Sequence, residues 1–340
     1  MLTEMYLYLT INTRLWSGVL LLTFFLLLSG CATAPQTKAL YERASMPVKP
    51  TAELTEVPFF PQEKYQCGPA ALATVLNYQK IGVFPESLVP AIYVPERQGS
   101  FQLEIMAAAR QYGQVAYEIN PRIDALLKEV EAGNPVLVLQ NLGFESYPIW
   151  HFSVVVGYDL TTSQIILRSG TTRRWLTSLS NFEQTWLRSG YWGLVVTNPA
   201  HLPATVIPSK WLQSAYDLES VGQLKSAEKA YQTATRYWPE QKNAWLALTN
   251  LYYQHGNNSQ ALDLFRMIVS NFPTSADVWN NYAYVLKAEG CDKAAFDAAQ
   301  CGLKLSPDQP NLKATVVEMQ LNSKQIVSQP LCPRVECEPR

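Results

Sequence analysis

One cysteine stands where a nucleophile belongs. The run VPFFPQEKYQCGPAALATVLNYQKIG places Cys67 directly before Gly68, Pro69 and the apolar residues Ala70, Ala71, Leu72, Ala73, Val75 and Leu76. That spacing predicts a helix beginning at Cys67, with Pro69 in the first turn, where its missing N–H costs nothing. A thiol there meets the positive end of the helix dipole, which favours the thiolate and lowers its pKa. Gly68 lets a substrate backbone come close. These are the conditions for a thiol nucleophile, and such a nucleophile needs a base. The chain has three histidines. His255 falls at a turn in the C-terminal half, and His201 falls between domains. His151 opens HFSVVVGYDL, a strand that follows the apolar stretch PVLVLQNL from Pro135 to Leu142. Elimination points to His151. Taken alone it reads as a hydrogen-bonded core histidine, and the company of Cys67 tips the balance.

The elements that must position this pair follow from the pattern. Val57–Phe60 reads as a short strand, Ser100–Tyr112 as a helix, and Ile123–Ala132 as another stopped by Gly133. Short strands follow at Ile165–Arg168, Trp175–Leu176 and Tyr191–Thr197, with a helix at Asn181–Arg188. Helices first and strands later suits an α+β lobe spanning 57–200. Arg173 and Arg174 read as solvated turn charges.

Two stretches, PQEKYQCGPAALATVLNY and HFSVVVGYD, resemble the bacteriocin-processing peptidases, papain-like enzymes that cut after double-glycine leader peptides. The resemblance covers about 57–198. It implies a papain-like cysteine peptidase fold in which Cys67 attacks, His151 serves as general base and acid, and Gln62 lines the oxyanion hole with the Cys67 amide. It also implies an Asp after the His strand, and there the chain departs. The corresponding stretch, SQIILRSGTTRR, has Arg168 and Ser169 near that position and no carboxylate. The orienting third member is then Ser169, a backbone carbonyl, nothing, or the more distant Asp159 in its GYD turn.

The C-terminal half repeats every 34 residues. Gly222, Gly256 and Gly290 share that spacing, as do Ala227, Ala261 and Ala295, Pro239, Pro273 and Pro307, and Trp211, Trp245 and Trp279. This resembles the tetratricopeptide repeat: Gly for the turn between paired helices, Ala for their close approach, Pro at the second helix's end. Three units and a capping helix fill 210–324, an all-α solenoid. A partner protein on its concave face is the expected use, and a structural spacer is the alternative. The four cysteines Cys291, Cys301, Cys332 and Cys337 cluster at this end. Ten helical residues put Cys291 and Cys301 about 15 Å apart, too far for a bridge. Each is therefore expected to pair with a cysteine of the 325–340 tail, against the alternative of a Cys332–Cys337 bridge. No histidine lies nearby and the spacings do not suit a metal, so neither metal nor cofactor is expected.

The first thirty residues read as targeting sequence. Arg14 precedes the apolar run LWSGVLLLTFFLLL, too short for an ordinary spanning helix, and it ends in Leu28-Ser29-Gly30-Cys31. That tetrapeptide resembles the bacterial lipobox. It implies a signal peptide over 1–30, lipid on Cys31 and a membrane anchor. Ala32 leans towards the outer membrane, facing the periplasm. Residues 31–56 read as a flexible tether. Twenty-seven basic against 28 acidic residues give a net charge of −1, which argues against a nucleic-acid partner.

The expected protein is a lipid-anchored envelope cysteine peptidase whose repeats recruit its peptide or protein substrate or another partner. The alternatives are a catalytically weak or inactive lobe serving as a binding module, and a papain-like acyltransferase or amidase.

Overall fold

The computed structural model describes residues 34–62, 66–97, 99–323 and 332–337. The signal segment and Cys31 lie outside them. Among the described residues no helix is long and apolar enough to cross a membrane.

The N-terminal lobe is built on one seven-stranded sheet. Its strands are β1 (Thr51–Glu53), β2 (Val115–Glu118), β3 (Val136–Asn141), β4 (Trp150–Asp159), β5 (Gln164–Ser169), β6 (Thr172–Ser178) and β7 (Gly193–Thr197). The order is β2-β7-β3-β4-β5-β6, with β1 paired to the far end of β4, and the pairings are antiparallel. Strand β4 pairs with β3 over 150–155 and with β1 over 157–159 along one edge, while β5 runs along the other, where the register shifts between Val155 and Gly157. A Cβ at Gly157 would stand 2.7 Å from the Ala52 carbonyl, so the pairing with β1 needs glycine there.

The central strands are apolar on both faces because helices cover both. On one face α2 (Cys67–Tyr78), α3 (Pro85–Ile92) and α4 (Gln102–Gln111) bury Leu72, Leu76 and Ile105 against Leu137, Phe152, Val154 and Val196. On the other, α1 (Pro35–Tyr41), α5 (Ile123–Glu131) and α6 (Leu179–Leu187) bury Leu40, Leu126, Phe182 and Trp186 against Val136, Val138 and Val155.

Two expectations fail here. Residues 34–56 are not a tether. Helix α1 is docked: the buried Glu183 carboxylate accepts the Gln36 and Thr37 amides at 2.8 and 2.6 Å, supplying the partners that a helix N-terminus lacks. The Gln36 side chain in turn caps α5 by accepting from the Ile123 amide. The polar, proline-bearing composition of 34–56 hides these contacts because they are made to residues about 85 to 150 positions away. Nor is Val57–Phe60 a strand. The strand lies earlier, at β1; Pro58 and Pro61 cannot donate to a ladder, and the Val57 carbonyl is taken by the Arg168 guanidinium.

The repeats follow as helix pairs: α7 (Pro208–Ser220) with α8 (Leu224–Tyr237), α9 (Lys242–Gln254) with α10 (Asn258–Asn271), and α11 (Ala276–Ala288) with α12 (Asp292–Leu305), capped by α13 (Pro310–Ser323). Gly222, Gly256 and Gly290 all turn at φ +75 to +78, which explains the glycine period. The Trp245 and Trp279 indoles donate to the carbonyls of Pro239 and Pro273, so these two members of the Trp and Pro periods make one contact repeated, while Trp211 donates to the Ala230 carbonyl. Disulfides join Cys291 to Cys332 and Cys301 to Cys337, binding the tail to the last repeat.

Helix α7 packs on the edge strand β2, and Trp211 and Ala215 share a core with Val115 and Tyr117. The buried Glu129 accepts from the Ala204 and Thr205 amides and the Thr205 hydroxyl, and Arg110 pairs with Asp217. These bonds fasten the lobe to the first repeat.

Candidate active site

Cys67 occupies the first residue of α2, at the end of the helix that abuts the start of β4. Gly68 behind it is a steric requirement, since a Cβ there would meet the Ser100 hydroxyl and Cβ. The Ser100 hydroxyl itself is buried without a hydrogen-bond partner among the described residues. Cys67 is the free cysteine among the described residues.

His151 is the second residue of β4, paired in register with Gln140 on β3. Its Nε2 lies 2.8 Å from the Ser169 hydroxyl on the neighbouring β5. When Nε2 carries the proton and donates to Ser169, Nδ1 is left with its lone pair. Beneath it, Ser153, Gln140 and Thr185 form a buried chain of 2.7 Å bonds that pins β3 and β4 to α6. Asp159 lies at the opposite end of β4, eight residues or about 26 Å away, where it accepts from Thr161 and Thr162 in its own turn. Of the two named candidates for the third member, the structure brings Ser169 to the imidazole and leaves Asp159 remote. Arg168, at the other position where the resemblance places a carboxylate, points away and holds the carbonyls of Val57 and Arg173.

Gln62, Cys67 and His151 line one cleft of about 1090 Å³, together with Ser100, Trp150 and Arg188. The Gln62 amide nitrogen donates to the Phe152 carbonyl at 3.3 Å, and its backbone N–H is held by the Gly170 carbonyl. One side-chain N–H is thereby used within the protein and the second remains for a ligand. His201 and His255 lie outside the cleft lining.

The electrostatics depart from the sequence expectation. Burial pushes the Cys67 thiol up, against the opposing pull of the Phe152, Gly68 and Cys67 amides. Desolvation outweighs the helix dipole because the dipole acts through partial charges while burial strips part of the hydration that a full thiolate charge needs. Burial likewise pulls His151 below its ordinary range, since the imidazolium is the charged form. At neutral pH the site holds a thiol and a neutral imidazole, not a separated ion pair.

Sequence reasoning missed two participants. Arg188 donates to the carbonyls of Asn141 and Gly143 and so holds the cleft wall, and the Ser100 hydroxyl is buried behind the start of α2. Neither belongs to a spacing that signals chemistry; both act through folding alone.

Residues 54–194 match the Peptidase_C39 like family, and residues 212–276 match the tetratricopeptide repeat. No curated protein matches the chain. Among solved structures, similarity extends to a protein described as a C39-like peptidase from Bacillus anthracis, at 20% identity over 44% of this chain and 98% of that one, with a TM-score of 0.39. The peptidase domain of Streptococcus ComA, a bifunctional ABC transporter, is 19% identical over 42% of this chain and 96% of its own, with a TM-score of 0.33. A tetratricopeptide domain from Aspergillus fumigatus is 13% identical over 38% of this chain and 88% of its own, with a TM-score of 0.32. The chain thus joins a Peptidase_C39-like domain to a run of tetratricopeptide repeats.

Proposed function

We propose that this protein is a cysteine peptidase of the bacterial envelope, anchored by lipid on Cys31. The carrying observation is that Cys67, His151 and Gln62 line one cleft while Ser169 occupies the Nε2 side of the imidazole. The neutral His151 takes the thiol proton on Nδ1 as the Cys67 sulfur attacks the scissile carbonyl carbon. The carbonyl electron pair moves onto oxygen, and the Cys67 amide and the Gln62 side chain stabilise that charge. The C–N bond then breaks, and the imidazolium returns its proton to the leaving amine. Water, deprotonated by His151, attacks the thioester and releases the acid and the thiol. The repeats recruit a substrate or partner protein.

A second reading, a binding module with weak or no catalysis, is favoured by one specific feature: a neutral hydroxyl where a carboxylate would support the imidazolium. A papain-like amidase or acyltransferase uses the same steps.

The test compares the full chain with Cys67→Ala on unfolded envelope proteins and on cell-wall fragments, reading new N-termini by mass spectrometry. New protein N-termini that need Cys67 support the peptidase. Products from wall peptides alone favour the amidase, and capture of the same protein by both forms without cleavage favours the binding module. The intact mass of the purified protein reads lipid on Cys31.

A further inference from the structure

Beside the cleft, the connection from β3 to β4 projects a hairpin that none of the described residues of the lobe covers. Phe144 and Tyr147 are 74% and 76% exposed, and Leu142, Ile149 and Trp150 are about half exposed. The hairpin is built rather than loose. Phe144 and Tyr147 exchange both backbone hydrogen bonds, Leu142 donates to Ile149, and the Asn141 side chain accepts from the Gly143 and Ile149 amides. Its backbone needs little from solvent, and its apolar side chains are left outward. Such a segment can lie at a lipid interface without stranding polar groups.

The position of α1 says what covers it. Glu183 holds the amides of Gln36 and Thr37, and Arg188 holds the carbonyls of Asn141 and Gly143. Five helical residues separate the two clamps, a rise of about 7.5 Å. Residue 35 and the hairpin base therefore sit at the same end of the lobe. Cys31 precedes Pro35 by four residues, at most about 14 Å of extended chain. The hairpin itself projects about 13 Å beyond Asn141 at strand rise. With 34–56 folded onto the lobe, no spacer holds the lobe away from a lipid on Cys31.

We infer that the 142–150 hairpin rests on the bilayer surface, so that the cleft opens at the membrane and takes peptide segments presented there. The inference rests on the reading of Cys31 as the lipid-bearing residue. Tyr and Trp favour the headgroup region, where one end of the side chain is apolar and the other wet. Glu145 at the turn holds the tip at headgroup depth and out of the hydrocarbon. Because Tyr147, Ile149 and Trp150 also line the cleft, the same contact would position its mouth.

The experiment places the photoreactive residue benzoylphenylalanine at 144, or at 317 on the capping helix as a control, in the full chain in its own membranes. The same variants are also held on phosphatidylethanolamine–phosphatidylglycerol vesicles with a nickel-chelating lipid, through a histidine tag in place of residues 1–31. That second arrangement reads the hairpin even if Cys31 carries no lipid, and the intact mass of the untagged protein tests Cys31 separately. The expected result is a phospholipid-sized mass gain after irradiation at 144 and none at 317. Loss of the lipid adduct at 144 on the tagged vesicles, equal adducts at 144 and 317, or adducts at 144 with peptide only, would each overturn the inference and make the hairpin a substrate wall.

Discussion

At the scale of single residues, the proposed site is a thiol and an imidazole, both held neutral by burial. The consequence is a pH profile unlike that of a preformed ion pair. His151 is depressed, so it remains a base as pH falls past its ordinary 6.5 and is protonated only below that. Activity should therefore persist through pH 6.5 and fall at lower pH, as kcat/KM against pH would read. Alkylation of Cys67 by iodoacetamide should stay slow until pH exceeds the ordinary thiol range near 8.5. Rapid labelling in mild acid, lost in His151→Ala, would refute the neutral pair. Ser169 contributes orientation through a neutral bond worth about 1 kcal/mol, so Ser169→Ala should cost about fivefold in kcat/KM. Ser169→Asp should move the acid limb upward, because a carboxylate beside Nε2 favours the imidazolium. Gln62→Ala should cost on the order of 10²–10³ in kcat if its amide meets the oxyanion.

At the scale of elements, helix starts are the joints of this lobe. The start of α2 is fitted so closely to residue 100 that Gly68→Ala must displace one of them, at about 1–3 kcal/mol. Adding Ser100→Gly should restore much of that loss in denaturant titrations, since it removes both atoms that the new Cβ would meet. The start of α1 depends on a buried carboxylate from α6. Glu183→Ala should destabilise the lobe by about 2–3 kcal/mol, the scale of losing hydrogen bonds to a charged group. It should also expose the chain after Lys38 and Arg43 to trypsin, since α1 loses its anchor before the sheet unfolds. Unchanged trypsin resistance would show that Leu40 alone holds the helix.

At the scale of the whole molecule, one apolar core runs from the lobe's helical face into the repeats, and the far end of the stack is closed by two disulfides. The bridges span 41 and 36 residues, and either one constrains the unfolded chain by about 4 kcal/mol on a loop-entropy account. Because the two loops overlap, losing both should cost less than twice that. A reductant should therefore lower the thermal midpoint of the repeat end, read by calorimetry, and leave the reactivity of Cys67 unchanged. At the other end, Glu129 joins 204–205 to α5, so the lobe and the first repeat should melt as one unit.

The sequence by itself determined whatever is periodic or local. The 34-residue period fixed the repeat and its helix pairs, because a turn glycine, a contact alanine and a terminal proline each answer to a neighbour within the same unit. The apolar run after Cys67 fixed a helix start at the thiol, and scarcity of histidine singled out His151. Tertiary structure decided everything that depends on distant partners. It brought Ser169 and not Asp159 to the imidazole, because antiparallel register sets which residue of β5 lies beside the start of β4. It turned an apparent tether into a docked helix through Glu183. It also raised the thiol pKa that the helix dipole alone would lower: desolvation is a property of the packed cleft, and no spacing of residues along the chain records it.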